Sequence, residues 1–516
     1  MPHSSPDLAR LAMTVLQPGF DGTSPPDWLR RALGEGLGGA VLFARNLTGP
    51  AQTAELVASL RRENPAVVVA VDEEGGVVTR LEARDGSSWP GNRALGVADD
   101  IGRTELVARE IGRLLAAADI TLDYAPVVDV NANPANPVIG IRSFGPDPLL
   151  VARHGAAWIT GLQSAGVAAC AKHFPGHGDT VVDSHRALPT VHASAELLRE
   201  RDLPPFRAAI EAGVKAVMCG HLLVPALDPT GPATLSGPIL TGLLRGELGF
   251  DGVLVTDAIE MGAVAALYPP GEIAVRALTA GADAICAGDS SPDGRSVQAL
   301  REAIVEAVHA GRLPEERLAQ AAARVLALAA WHAETPRDTA PSGGEAGLAA
   351  ARAAVHVVVA GGRTPYASPP GDVPAARPLP GGVPISQVAP PALSGPPLVL
   401  DIAPRPNPAV GPGTPTGLAG AVAELLPGTV THTITAETAE LPDLGDPGRP
   451  LVLVAHDAAR HPWAGRLLAE AVRLRPDAIV VETGLPGEPV GALYVATYGI
   501  SRVSARIVAL WLAGGQ

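Results

Sequence analysis

Cysteine is scarce in this chain: three in 516 residues, at Cys170, Cys219 and Cys286. Each sits in a short apolar run (AACA, VMCG, AICA), and the odd count leaves at least one thiol unpaired in any disulfide scheme. Such positions suit buried free thiols, so a reducing, cytoplasmic compartment is expected. Long apolar runs are also missing. None approaches the ~18 consecutive apolar residues that span a bilayer, so no membrane partner is expected. The N-terminus, MPHSSPDLARLAMTVL, lacks a basic segment followed by a long apolar stretch, and no signal peptide is expected. Positive charge is in short supply too. The 39 Lys and Arg stand against 53 Asp and Glu, for a net charge of −14. A chain of that charge repels phosphate backbones, which argues against nucleic acid as a partner. Self-similarity at a solenoid period is absent.

What is present is a long chain with a globular composition, 47% hydrophobic and 18% charged. Single cores stop growing near ~250–300 residues, so at least two domains are expected. A strand–loop–helix pattern recurs over the first two thirds. The strand candidates are 38–43, 66–71, 120–126, 167–171, 215–220, 252–256 and 282–287. Helix ends are readable between them: Thr104 before ELVAREIGRLLAAA, Asp147-Pro148 with Gly166 closing, and Ser194 with Gly213 closing. Strands alternating with helices make a parallel sheet, and seven or eight such units predict a (β/α)8 TIM-type barrel over residues 1–335. A polar, turn-rich linker follows at 336–345. Residues 346–516 then show a second βα pattern, with strands near 355–360, 398–403, 429–435, 451–457 and 478–483. They predict a smaller α/β sandwich domain with a Pro- and Gly-rich excursion at 364–397.

Polar residues cluster where the barrel strands end. Asp72 follows AVVVAV, Lys172 and His173 follow VAACA, His221 follows KAVMCG, and Asp257 follows GVLVT. The carboxyl ends of barrel strands form the rim where chemistry takes place. The densest segment is KHFPGHGDTVVDSHRALP (172–189). Three readings compete for it. It could bind a metal through His and Asp, although no HExxH-like helical spacing is present. It could be a structural loop with satisfied histidines. Or it could be catalytic, since Asp183 and His185 are separated by one residue and can face the same side of an extended turn. A carboxylate beside an imidazole fixes its tautomer, and such an imidazole can donate and then accept a proton. Asp257 has two readings as well: an N-cap for the segment after it, or a carboxylate held at the barrel mouth for use.

These segments resemble a known family. KHFPGHGDT with DSH downstream, VDEEGG (71–76), GIRSFGPDP (140–148) and VTDAIEM (255–261) are similar to family 3 glycoside hydrolases of the β-N-acetylglucosaminidase branch. The likeness covers most of residues 8–330, with the motifs in the expected order. It implies Asp257 as nucleophile, His185 as acid/base and Asp183 as the residue that orients it. It further implies that Asp72, Arg142, Lys172 and His173 bind the sugar. The resemblance brings no cofactor and no metal. The chain departs from the pattern at Ala258, where many relatives carry a second acid, and at Glu73, where Gln is frequent.

The function expected on these grounds is a retaining glycoside hydrolase that releases terminal β-linked N-acetylglucosamine. Small carbohydrates would be its partners, with cell-wall muropeptides during recycling as the expected setting. The alternatives are a phosphorylase using the same residues and a non-catalytic sugar-binding module.

Overall fold

The computed structural model describes residues 6–340, 344–363, 379–404, 409–410, 417–436 and 440–515. Short β-branched and alanine-rich runs form its first sheet, and both faces of each run are buried. That is the pattern of a parallel strand covered by helices. The strands are β1 (Leu16–Pro18), β2 (Gly39–Leu42), β3 (Val68–Val71), β4 (Leu122–Asp123), β5 (Ala168–Phe174), β6 (Ala216–Cys219), β7 (Val253–Thr256) and β8 (Ile285–Ala287). β2 to β7 pair in sequence order, all parallel. A bridge from Val255 to Ala284 joins β7 to β8, and β8 pairs with β1. β1 packs against β2, where the Gln17 side chain lies against Gly39, so the strands close into a (β/α)8 barrel.

Alternation along each strand sorts the side chains. Val68, Ala70, Leu122, Ala168, Cys170, Ala216, Met218, Val253, Val255, Ala284 and Cys286 fill the interior. Val67, Val69, Val71, Val167, Ala169 and Ala171 pack outward under the helices. The helix Glu315–Glu334 plugs the bottom with Val325, Leu328 and Ala329. All three cysteines are buried and free.

Two expectations need correction. The helix Ile101–Ala117 is capped by Asp100, whose side chain accepts from the Arg103 N–H. Thr104 instead lies one turn inside the helix, buried against His154. The strand β1 went unread, because LQP is only three residues long and carries a polar side chain and a proline. Asp147 and Ser194 do cap the helices they precede.

The second sheet comprises β9 (His356–Arg363), β10 (Val383–Pro384), β11 (Leu398–Ile402), β12 (Val430–Ile434), β13 (Leu451–Ala455), β14 (Ile479–Glu482) and β15 (Gly491–Ala496). Among the described residues its order is β10-β9-β15-β14-β13-β11-β12. β11 to β15 run parallel, while β9 is antiparallel to both its neighbours. Apolar clusters cover both faces, which makes an α/β sandwich. β15 was missed in the sequence. Of the Pro- and Gly-rich stretch 364–397, residues 364–378 lie outside the described residues. None of the described helices is long and apolar enough to cross a membrane.

Candidate active site

The inward alternation runs to the end of β5 and continues one residue past β3 and β7. Residues 68 and 70 point in, and Asp72 comes next. After 168 and 170 comes Lys172, and after 253 and 255 comes Asp257. Above the apolar filling, the barrel therefore carries a polar layer. It opens into a cavity of about 1190 Å³ lined by Asp72, Arg142, Lys172, His173, His185 and Asp257, among others. Six of the seven site residues expected from the sequence line this one space. The seventh, Asp183, stands behind His185.

One wall is a chain of charges. Lys172 Nζ lies 2.6 Å from Asp72 Oδ1 and 2.8 Å from Glu74 Oε1. Glu74 also takes a forked pair from Arg142, 2.7 Å from Nη2 and 2.9 Å from Nε. Burial alone would raise the Glu74 carboxyl, but Arg142 and Lys172 outweigh it and hold that carboxyl far below the usual range. Burial would likewise lower Lys172, and Asp72 with Glu74 raises it instead. Glu74, Lys172 and Arg142 are thus charged at neutral pH, and the planar fork sets the Arg142 guanidinium rigidly.

His173 is held from behind. Its Nδ1 lies 2.7 Å from Asp129 Oδ2, which leaves Nε2 for a ligand. His177 is different, since both its ring nitrogens are engaged, by Thr180 Oγ1 at 2.9 Å and Ser184 Oγ at 3.0 Å. Burial first, then the nearby His173, pushes it down to about 4, so it stays neutral. It pins the loop that carries the dyad. In that dyad, Asp183 Oδ1 accepts from the His185 backbone N–H at 2.9 Å and meets Nδ1 at 2.8 Å. The imidazole is fixed with Nε2 as its unengaged nitrogen. Burial tends to raise Asp183, but its bonds to His185 hold it below the ordinary carboxylate range.

Asp257 follows β7, and its Oδ1 accepts the Ala258 N–H at 2.8 Å. Burial would raise it, but His221, His173, His185 and that N–H together keep it below its usual value. His221 bonds Thr234 at 2.8 Å and the Ala258 carbonyl at 3.0 Å, which steadies the turn carrying Asp257. The N-cap alternative for Asp257 does not hold: the next helix, Gly262–Ala265, begins beyond Met261.

Several residues of this site went unread. Glu74 is two residues beyond Asp72 and its acidic run was visible, but nothing local pairs it with Arg142. Asp129 was visible only as an acid within a valine-rich run. Glu260 lines the cavity three residues past Asp257, with its Oε2 on the Gly288 N–H at 3.0 Å. Burial pushes it up to about 7. Glu73, by contrast, turns away from the cavity. It is fully buried, and its Oε2 accepts the N–H groups of Arg80 and Leu81.

A barrel whose strand ends present a low-lying carboxylate, an Asp–His pair and a wall of paired buried charges around one cavity is laid out as an enzyme of the (β/α)8 class. The family model "Glycosyl hydrolase family 3 N terminal domain" matches residues 29–328. The chain belongs to that family. A solved structure, a glycoside hydrolase family 3 β-N-acetylglucosaminidase from Paenibacillus sp. str. FPU-7, matches at 34% identity with a TM-score of 0.83. The match covers 98% of this chain and 96% of that one. The β-hexosaminidase A of Pseudoalteromonas piscicida is 35% identical over 344 residues, covering 62% of this chain and 56% of the relative's own length. The β-hexosaminidase of Pseudomonas aeruginosa is 42% identical over 255 residues, covering 48% of this chain and 74% of that protein.

Proposed function

We propose that the protein is a retaining β-N-acetylhexosaminidase in which Asp257 attacks the anomeric carbon and His185 serves as acid and then base. The observation that carries this reading is that Asp257, the His185–Asp183 pair and the Asp72–Lys172 pair open on a single cavity. Asp257 is held ionised, as a nucleophile must be. With Nδ1 engaged by Asp183, a proton on His185 Nε2 passes to the glycosidic oxygen as the C1–O bond breaks and the Asp257–C1 bond forms. Neutral imidazole then takes a proton from water, whose oxygen displaces Asp257 from C1. Asp183 stabilises the imidazolium that enters the first step and is regenerated by the second. Asp72 accepts hydrogen bonds from sugar hydroxyls, Lys172 and Arg142 donate to them, and His173 Nε2 takes a further hydrogen bond. The name of the Paenibacillus neighbour supports N-acetylglucosamine as the sugar, and those of the two curated relatives support a β-hexosaminide.

A panel of nitrophenyl sugars, assayed with and without phosphate, tests the proposal. Release of N-acetylglucosamine from its β-nitrophenyl glycoside at the same rate in both buffers is expected. A sugar 1-phosphate product would replace hydrolysis by phosphorolysis. A slow fluorinated donor should leave its sugar on Asp257, read by peptide mass spectrometry, and a label on any other residue would remove the nucleophile assignment.

A further inference from the structure

Arg80 lies on the loop after β3 and is only 8% exposed. Its guanidinium reaches across to the second sheet's unit, donating from Nη2 to the Ala409 carbonyl at 2.8 Å and from Nη1 to the Val410 carbonyl at 3.2 Å. The same Nη2 stands 3.9 Å from Asp72 Oδ2, a charge contact rather than a hydrogen bond. Asp72 is therefore flanked on both oxygens, by Lys172 at Oδ1 and by Arg80 at Oδ2. Ala409 itself lines the cavity. An apolar seam continues the contact: Val77, Val78 and Ile141 from the barrel pack with Val410 and Ile500. A second arginine works in the opposite direction. Arg460 of the second unit donates to the Asn136 carbonyl. The Asn136 side chain accepts the N–H groups of Val138 and Ile139, and the Val138 carbonyl accepts from Arg142 Nη1 at 3.2 Å.

We propose that Arg80 is a positioning residue that holds Asp72 for the sugar and is itself held by the second domain. Docking of that domain thereby sets the affinity of the sugar-binding wall. The proposal rests on Asp72 being a sugar ligand, as in the function proposed above. The physical reason is preorganisation. A carboxylate steered on both oxygens loses little freedom on binding, and a guanidinium keeps its place only while its donors find acceptors. Without the Ala409 and Val410 carbonyls, two buried donors would lack partners, and Arg80 would turn toward water.

The test uses the full chain and β-nitrophenyl N-acetylglucosaminide. Arg80→Ala should lower kcat/KM at least tenfold, mainly through KM, and Arg80→Lys should fall between it and the parent. In an Asp72→Ala background, Arg80→Ala should change kcat/KM less than twofold. Val410→Asp, which breaks the seam, should raise KM at least fivefold alone and less than twofold on top of Arg80→Ala. A purely structural role would cost the same factor in every background, and that outcome overturns the proposal, as does an Arg80→Ala effect under twofold. If Arg80→Ala does not fold, Arg80→Lys enters the same cycles with the same criteria. A parent protein that does not cleave this glycoside overturns the hydrolase reading, and this proposal with it. An active parent with uncoupled variants overturns this proposal alone.

Discussion

Replacing Glu74 with alanine should cost the protein about 3–5 kcal/mol of stability, the range for removing one partner from a buried ion pair. Glu74 is the common partner of two buried cations. Its side chain is 2% exposed, as is that of Lys172, and that of Arg142 is 5% exposed. Without Glu74, Lys172 keeps Asp72, but among the described residues Arg142 keeps as hydrogen-bond partner only the Val138 carbonyl. Guanidinium unfolding at pH 7 measures the loss. Glu74→Gln preserves shape and should cost less, and pairing it with Arg142→Met should recover part of the difference, because no buried charge is then stranded. The pH dependence has a definite sign. The folded carboxyl lies below its unfolded value of 4.5, so its stabilisation is complete above that pH and is lost as pH falls. The gap between parent and Glu74→Ala should shrink by about 2 kcal/mol between pH 5 and pH 3, from 1.36 kcal/mol per pH unit. A loss below about 1 kcal/mol at pH 7, or a gap that does not change with pH, would refute the ion-pair argument.

Three further outcomes can be checked. His185→Ala should slow poor leaving groups roughly 10²–10⁴-fold and activated aryl glycosides much less, and equal losses across a leaving-group series would remove the acid role. Burial raises Glu73 from 4.5 to about 7, so the unfolded chain ionises first and stability falls as pH rises through that window. The fall is at most about 3 kcal/mol, Glu73→Gln should abolish it, and matching pH–stability slopes for parent and variant would contradict this. Gly178 packs so tightly on the Val130 carbonyl that an added methyl would overlap it. Gly178→Ala should therefore cost about 1–3 kcal/mol and lower kcat by shifting the dyad loop, and an unchanged kcat with unchanged stability would show that the loop has room.

Much of the site follows from local rules. Strand alternation carries Lys172 inward within β5 and Asp72 and Asp257 inward once β3 and β7 are recognised, because a side-chain period of two persists for one residue past the last ladder pair. Asp183 and His185 meet because they are two residues apart, and Asp147 caps its helix because its side chain reaches the next free N–H groups. The sequence by itself thus determined which residues face the barrel mouth, the dyad, and the alternation of strand and helix that demands a parallel sheet. Tertiary structure decided the pairings across the mouth. Glu74 finds Arg142 68 residues away, His173 finds Asp129 44 residues away, and Arg80 reaches Val410 330 residues away. Those partners depend on which strand ends become neighbours when the barrel closes and on where the second domain docks. Neither leaves a periodic trace in the chain, since a buried ion pair needs only two charges brought together, at any separation in sequence.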